Sequence, residues 1–97
     1  MVGYRLTTRA AQDFEDIFVY GAVTFGVERA ESYAAGLEAR FEHLVEHPRL
    51  YQAVDDIRSG YRRSVYGSHA IYDQIVDDKQ ILIVRILRGQ ELGTALR

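Results

Sequence analysis

The stretch Ile81-Leu82-Ile83-Val84-Arg85-Ile86-Leu87 decides the fold class of this chain. It is an almost uninterrupted run of β-branched and aliphatic residues, which is typical of a strand that is covered on both faces. We therefore predict a strand over residues 80–87 and expect it to be the most buried strand of the protein.

Two further strands are predicted upstream of this run, over residues 61–65 and 69–76. The connections between the three strands are Tyr66-Gly67-Ser68 and Asp77-Asp78-Lys79, which contain residues that tolerate tight turns. Because both connections are short, the second half of the chain is predicted to form a three-stranded antiparallel meander.

Before the meander, apolar residues recur at the spacing of amphipathic helices. Thr8 is predicted to cap a first helix that ends at Phe25-Gly26, and a second helix is predicted from about Val27 to Glu46, where Pro48 stops it. The short connection predicts an antiparallel helical hairpin. The polar face of the first helix is predicted to point to solvent and consists of Gln12, Asp13, Glu15 and Asp16.

The alternating segment Tyr4-Arg5-Leu6-Thr7 predicts one more strand at the N-terminus. The fold class is therefore α+β: an N-terminal strand, an antiparallel two-helix hairpin laid on one sheet face, and the three-stranded antiparallel meander. The length of 97 residues predicts a single domain over residues 1–97. We expect a loop over residues 49–59 and a mobile tail over residues 88–97.

Composition excludes several classes of protein. The absence of cysteine excludes a disulfide scaffold, a thiolate zinc site and a cysteine nucleophile. No apolar run approaches the roughly 20 residues that span a membrane, and the start lacks the features of a secretory signal, so we expect a cytoplasmic protein without a membrane partner. The net charge of −2 argues against general nucleic-acid binding.

The three histidines are the candidates for metal binding or catalysis. His43 and His47 form an H-x-x-E-H pattern with Glu46, but the pattern stands at a predicted helix end beside Pro48 and lacks a further ligand. We therefore predict no metal and no cofactor. We also predict a structural role for His69, because strand alternation places it and the neighbouring hydroxyl of Ser68 on opposite faces.

Four arginines are the candidate binding residues. Arg62 and Arg63 open the meander, whereas Arg85 and Arg88 lie at the end of its last strand, so neighbouring strands could gather them into one basic patch. In one interpretation each arginine pairs with a nearby acid such as Asp55, Asp56 or Asp73. In the other, the patch recognises an acidic partner or RNA phosphate.

Six short motifs, in register over about residues 4–88, resemble the ParE toxins of the RelE/ParE superfamily. They are Asp13-x-x-Asp16-Ile17, Phe25-Gly26, Glu46-His47-Pro48, Gly60-Tyr61-Arg62-Arg63, Gly67-Ser68-His69 and Ile83-Val84-Arg85-Ile86-Leu87. The resemblance implies the α+β fold of that superfamily and the toxin of a type II toxin–antitoxin module, of the kind used in plasmid stabilisation. It also implies two partners, DNA gyrase and a ParD-like antitoxin, with which the toxin forms a hetero-oligomer.

The same superfamily contains RelE-like enzymes, which cleave mRNA on the ribosome, and this is the alternative function. RelE-like chains generally supply a Tyr or His near the end of the last strand, whereas this chain has none after Tyr72. Cleavage of RNA needs groups that move protons, so the resemblance to ParE predicts a toxin without catalytic residues. A third possibility is an interaction domain without toxicity.

The chain departs from the ParE pattern in two places. ParE chains often have Phe-Tyr-Arg in the middle strand and His-Gln-Arg-Met-Asp after the last one. This chain has Tyr72-Asp73-Gln74 and Arg88-Gly89-Gln90-Glu91-Leu92. ParD antitoxins neutralise their toxins with an acidic segment that folds on binding, and we expect the four arginines to meet its acidic residues.

Overall fold

A computed structural model describes residues 3–77 and 80–88 and confirms the predicted α+β fold. The elements in chain order are β1 (Gly3–Leu6), α1 (Thr8–Phe25), α2 (Val27–Glu46), β2 (Gln52–Ala53), β3 (Tyr61–Tyr66), β4 (His69–Asp77) and β5 (Gln80–Arg88). The strands form one sheet in the order β1-β5-β4-β3-β2. β3, β4 and β5 are the predicted antiparallel meander, and β1 pairs in parallel with β5.

The predicted boundaries of the helical hairpin are correct except at its first residue. Thr7, not Thr8, is the N-cap, because its Oγ1 accepts a hydrogen bond from the amide of Ala10 at 3.0 Å and donates one to the carbonyl of Val84 at 2.8 Å. Gly26 separates the helices with φ of 101°, a conformation that favours glycine.

The sheet is covered on both faces. The helices pack against one face and form the main core, which contains Ala10, Leu37, Phe41, Leu44, Ile71, Ile81, Ile83 and Ile86. The segment that follows β2 covers the opposite face, where Val54 packs with Tyr72 and Leu87. A register irregularity in the β4–β5 ladder explains how Ile83 and Ile86, three positions apart, both reach the helices, because alternation alone would place them on opposite faces.

Two expectations about the connections change. The segment predicted as a loop contains β2, whose residues Gln52 and Ala53 pair with Arg63 and Arg62. Two residues of the predicted turn, Asp78 and Lys79, and residues 89–97 of the predicted tail lie outside the described residues. Neither described helix is long and apolar enough to cross a membrane.

Candidate interaction cleft and predicted binding residues

A cleft of about 660 Å³ opens between the helical hairpin and the end of the sheet where the β3–β4 turn lies beside the last residue of β5. Its walls combine aromatic and aliphatic side chains with basic groups and hydroxyls. The hairpin contributes Asp13, Asp16, Ile17, Tyr20, Gly21, Phe25, Arg29, Ala30, Ser32 and Tyr33, and the sheet contributes Tyr66, Ser68, His69, Ile86 and Arg88.

The floor of the cleft is ordered by the hydroxyl of Tyr33. This hydroxyl donates a hydrogen bond to the carbonyl of Tyr66 at 3.0 Å and lies 2.7 Å from Nδ1 of His69. Because a phenol has one hydrogen and that hydrogen is used on the carbonyl, we assign the proton of His69 to Nδ1, which then donates to the Tyr33 oxygen. Burial raises the pKa of Tyr33 above its usual value, so its hydroxyl stays protonated at neutral pH.

Two glycines permit this arrangement. Gly67 has φ of 56° in the β3–β4 turn, and a Cβ there would lie 2.6 Å from the Tyr33 hydroxyl. Gly36 of α2 faces the ring of Tyr66, whose hydroxyl occupies the space that a Cβ at Gly36 would need. The rings of Tyr33 and Tyr66 therefore pack against the helix with centroids 5.2 Å apart.

The mouth of the cleft carries exposed aromatic rings. Tyr20 and Phe25 are 53% and 58% exposed, and their centroids are 6.5 Å apart in an edge-to-face arrangement. The guanidinium of Arg88 lies over the Tyr20 ring, with Cζ 5.4 Å from its centroid. Val19, Val23 and Val27 are further exposed apolar residues of the helical hairpin. Exposed aromatic rings beside basic groups are typical of an interface with another protein.

Arg85, one of the predicted binding residues, is held by α1. Its Nε and Nη2 donate to the two carboxylate oxygens of Asp13 at 2.7 and 3.0 Å, and the amide of Ile86 donates to the same carboxylate at 3.0 Å. Both side chains are nearly buried, with exposures of 13% and 14%. The prediction that Asp13 points to solvent is therefore wrong, because a paired carboxylate satisfied by three donors can lie inside.

Arg62 also turns inward. Its Nη2 donates to the carbonyls of Arg49 at 3.2 Å and Tyr51 at 3.0 Å, and its Nε is buried without a hydrogen-bond partner. Strand alternation places Arg63 on the opposite face of the sheet.

The four arginines therefore do not form a single patch, which was one of the two interpretations of the sequence. Arg62 lies under the helices, Arg63 on the other sheet face, and Arg85 against α1, while Arg88 stands at the cleft mouth. The other interpretation, pairing with a nearby acid, is also changed. Arg85 pairs with Asp13, 72 positions away in the sequence, and Arg62 lies opposite Asp73 without a hydrogen bond between them.

Asp73 is the most unusual titratable group that the structure describes. It is 1% exposed on β4, directly opposite Arg62 of β3, and neither of its carboxylate oxygens has a hydrogen-bond partner. Burial raises the pKa of this carboxyl from 3.8 to about 7, although the positive charge of Arg62 acts in the opposite direction.

His43 and His47, the histidine pair at the end of α2, contact Tyr51 and each other. Nδ1 of His43 lies 3.0 Å from the hydroxyl of Tyr51, and the rings of His43 and His47 pack with centroids 4.7 Å apart. Within residues 3–77 and 80–88, no three or more metal-ligating side chains are grouped so that they could hold an ion.

The cleft contains the residues that the sequence analysis missed. No sequence pattern singled out Tyr33, and the partner of His69 was sought at its neighbour Ser68, whereas the contact joins residues 36 positions apart. One signal was present, since Tyr20 and Phe25 interrupt the polar surface at the end of α1.

Comparison with known proteins identifies the family. The family model described as "ParE toxin of type II toxin-antitoxin system, parDE" matches residues 4–93. A protein of Caulobacter vibrioides, "Toxin ParE1", is 39% identical over 87 residues, which cover 90% of this chain and 88% of that protein. "Toxin ParE1" of Mycobacterium tuberculosis is 32% identical over 84 residues, which cover 87% of this chain and 86% of that protein.

The solved structures include one with a similar fold, described as "Chromosomal ParDE TA system from P. aeruginosa". The TM-score is 0.74 at 23% sequence identity, and the match covers 91% of this chain and 96% of that chain. The family model extends over every helix and nearly every strand described above. This chain therefore belongs to the ParE toxin family of the parDE type II toxin–antitoxin system.

Proposed function

We propose that this protein is a cytoplasmic toxin that inhibits DNA gyrase by binding it, and that a ParD-like antitoxin neutralises it in a hetero-oligomeric complex. The observation that carries the proposal is the match of residues 4–93 to the ParE toxin family. Inhibition by binding needs an exposed interaction surface, and the cleft mouth supplies one with Tyr20, Phe25 and Arg88. The proposal includes no catalytic residue, metal, cofactor, membrane contact or sequence-specific contact with nucleic acid.

The cleft is the proposed site of the antitoxin. An acidic amphipathic segment needs an apolar groove for its anchors and cations for its carboxylates. Tyr20 and Phe25 would receive the anchors, and the guanidinium groups of Arg29 and Arg88 would meet the acids. Of the two carboxylates in the lining, Asp13 adds little repulsion, because it is paired with Arg85. The exposed Asp16 opposes one of the two guanidinium groups, so the remaining charge of the cleft is positive.

The roles of the four predicted arginines are redistributed in this proposal. Arg88 lies at the cleft mouth and would contact the antitoxin directly. Arg63 lies on the opposite face and would contact gyrase or a distant part of the antitoxin. Arg62 and Arg85 would act indirectly, because they hold the segment after α2 and the end of β5 in place.

Induced expression in bacteria, with and without the antitoxin gene, tests the function. We expect DNA breaks, filamentation and an SOS response that co-expression of the antitoxin suppresses. Translation arrest with cleaved mRNA would instead indicate the ribosome, and normal growth would indicate an interaction domain without toxicity. Either result would overturn the proposal.

A RelE-like mRNA endonuclease is the second candidate, and one observation favours it. Tyr33 and His69 form a hydrogen-bonded pair in a cleft that also contains Arg88, which is a set of groups able to move protons and stabilise a phosphate. One feature of the pair speaks against catalysis. The Tyr33 hydroxyl already donates its hydrogen to the Tyr66 carbonyl, so that hydrogen is not available for proton transfer. Substitution of His69 by Gln distinguishes the candidates, because a nuclease would lose its activity.

A further inference from the structure

Two buried polar groups face each other under the helices without a hydrogen bond. Asp73 of β4 and Arg62 of β3 are direct cross-strand neighbours. Both carboxylate oxygens of Asp73 and Nε of Arg62 are buried and unpartnered. Buried polar groups in native proteins are nearly always hydrogen-bonded, so two unsatisfied groups side by side call for a physical explanation.

Arg62 uses its remaining donors on another part of the chain. Nη2 donates to the carbonyls of Arg49 and Tyr51, which belong to the segment between α2 and β2. That segment has few other backbone restraints. Leu50 donates to the carbonyl of His47 at 3.1 Å, and β2 is only two residues long. Arg62 therefore adds backbone restraints to a segment whose side-chain contacts are those of Tyr51 with His43 and Arg40, and helps to hold residues 49–53 against the sheet.

The protonation state of Asp73 determines whether Arg62 binds more strongly to this carboxyl or to the carbonyls of Arg49 and Tyr51. A neutral carboxyl is tolerated in an apolar environment, whereas an isolated buried carboxylate is very costly unless a cation pairs with it. Arg62 is the adjacent cation, and its unpartnered Nε is available to that carboxylate. The pKa of Asp73 is raised by burial to about 7, so both protonation states occur near neutral pH.

Among residues 3–77 and 80–88, the other elements around Asp73 supply no competing partner. Its neighbour on β5 is Ile83, which has no charge. From α2, Arg40 and His43 reach towards the same strand and segment, but Arg40 donates to Ser64 Oγ and the Val65 carbonyl, and His43 contacts the Tyr51 hydroxyl.

We propose that Arg62 is a pH-dependent latch with two alternative partners. When Asp73 is protonated, Arg62 binds the carbonyls of Arg49 and Tyr51 and holds residues 49–53 against the sheet. When Asp73 loses its proton to solvent, the guanidinium turns to meet the carboxylate with Nε and Nη2 together, the geometry that Arg85 has with Asp13. Nη2 then leaves the two carbonyls and the segment is released. The β2 edge of the sheet is therefore more ordered below neutral pH than above it.

Amide hydrogen exchange on the full chain tests the latch. Protection factors, corrected for the intrinsic pH dependence of exchange, are measured between pH 5.5 and pH 8.5. We expect the protection of the amides of Leu50 and Val54 to fall at least about tenfold over this range, because both bonds from Nη2 to the carbonyls of Arg49 and Tyr51 are lost and one charge-assisted hydrogen bond accounts for about tenfold. Amides in the middle of α1 serve as the internal reference.

Asp73→Asn is the matched variant, because it keeps the shape and removes the titration. We expect its protection at residues 50–54 to be independent of pH and close to that of the wild type at pH 5.5. A fall of protection in Asp73→Asn equal to that in the wild type would overturn the proposal, as would constant protection in the wild type.

A spectroscopic measurement makes the test independent of any variant. The side-chain ¹⁵N signal of Arg62 Nε and the ¹³C signal of the Asp73 carboxyl are followed by NMR in the same titration. We expect both signals to shift with one midpoint, shared by the loss of protection. Titration of the carboxyl without a change in the Arg62 signal would show that the guanidinium does not move, and would contradict the latch.

Discussion

The two ends of the helix-covered face of the sheet differ in how completely their polar groups are hydrogen-bonded. At the cleft end, the hydroxyl of Tyr33 and the Asp13–Arg85 pair have all their main hydrogen bonds made, and apolar rings are left exposed. At the acid end, which contains Asp73 and Arg62, the carboxyl is buried, the arginine is half-buried, and three of their buried polar atoms have no hydrogen-bond partner among the described residues. The difference indicates that the cleft end is a fixed surface suited to recognition, whereas the energy of the acid end depends on pH.

The largest expected effect is at the acid end. The pKa of Asp73 is 3.8 when exposed and about 7 in the folded chain, so below pH 3.8 the carboxyl is protonated in both states. Between pH 3.8 and about 7, the carboxyl of Asp73 releases its proton in the unfolded chain and keeps it in the folded chain. The free energy of unfolding therefore falls as the pH rises. By linkage the loss reaches up to about 4 kcal/mol above pH 7, where it levels off.

Asp73→Asn removes this loss. We expect the variant to exceed the wild type in free energy of unfolding at pH 8 and to be within about 1 kcal/mol of it at pH 4. Urea denaturation at both pH values measures the difference. If the free energy of unfolding changed equally with pH in the two proteins, ionisation of Asp73 would not destabilise the folded chain, and the prediction would be wrong.

The next effect is at the cleft end, where the polar groups are satisfied. Asp13→Asn removes a charge that accepts bonds from Arg85 and the amide of Ile86, and leaves the guanidinium nearly buried without its counter-ion. We expect a loss of about 2–3 kcal/mol in the free energy of unfolding. Asp16→Asn is the matched control, because Asp16 is exposed and its partner is Gln12, and should cost less than about 0.5 kcal/mol. Equal effects of the two substitutions would contradict a fixed cleft end.

A substitution in α2 tests whether packing also fixes the cleft. Gly36→Ala places a methyl group where the Tyr66 hydroxyl lies, and Tyr66 must then move off the helix. We expect a net loss of about 1–3 kcal/mol, even though alanine favours helices. Gly3→Ala, where nothing lies within 4 Å of the added Cβ, is the control and should change stability little. Thermal denaturation compares the two variants.

Charge reversal probes recognition rather than stability. Arg62 and Arg63 were both candidate binding residues in the sequence, but Arg62 turns inward, so Arg88 is the better choice beside Arg63. We expect Arg88→Glu to slow antitoxin association about tenfold at low salt and much less at high salt, because exposed charges steer encounter more than they add affinity. Arg63→Glu is the matched control on the other sheet face. Stopped-flow kinetics would contradict the cleft site if Arg63→Glu had the larger effect.

The fold was predictable because its signals are local. The aliphatic run of residues 81–87 and the helical spacing before Pro48 each define an element within one segment. The cleft was not predictable, because its contacts join Tyr33 to His69 and Asp13 to Arg85 across most of the chain, and no local pattern contains such pairs. Asp73 is an intermediate case. Ile71-Tyr72-Asp73-Gln74-Ile75 places the acid on the same face as two core isoleucines, so alternation already indicates a buried carboxyl.

The central claim is that the fixed cleft end acts by binding and not by catalysis. A supercoiling assay with purified DNA gyrase tests it most directly, with the wild type beside His69→Gln, which removes the imidazole of the Tyr33–His69 pair. The account predicts that both proteins inhibit supercoiling equally and that added antitoxin reverses the inhibition. Unaffected supercoiling together with ribosome-dependent mRNA cleavage that His69→Gln abolishes would contradict it.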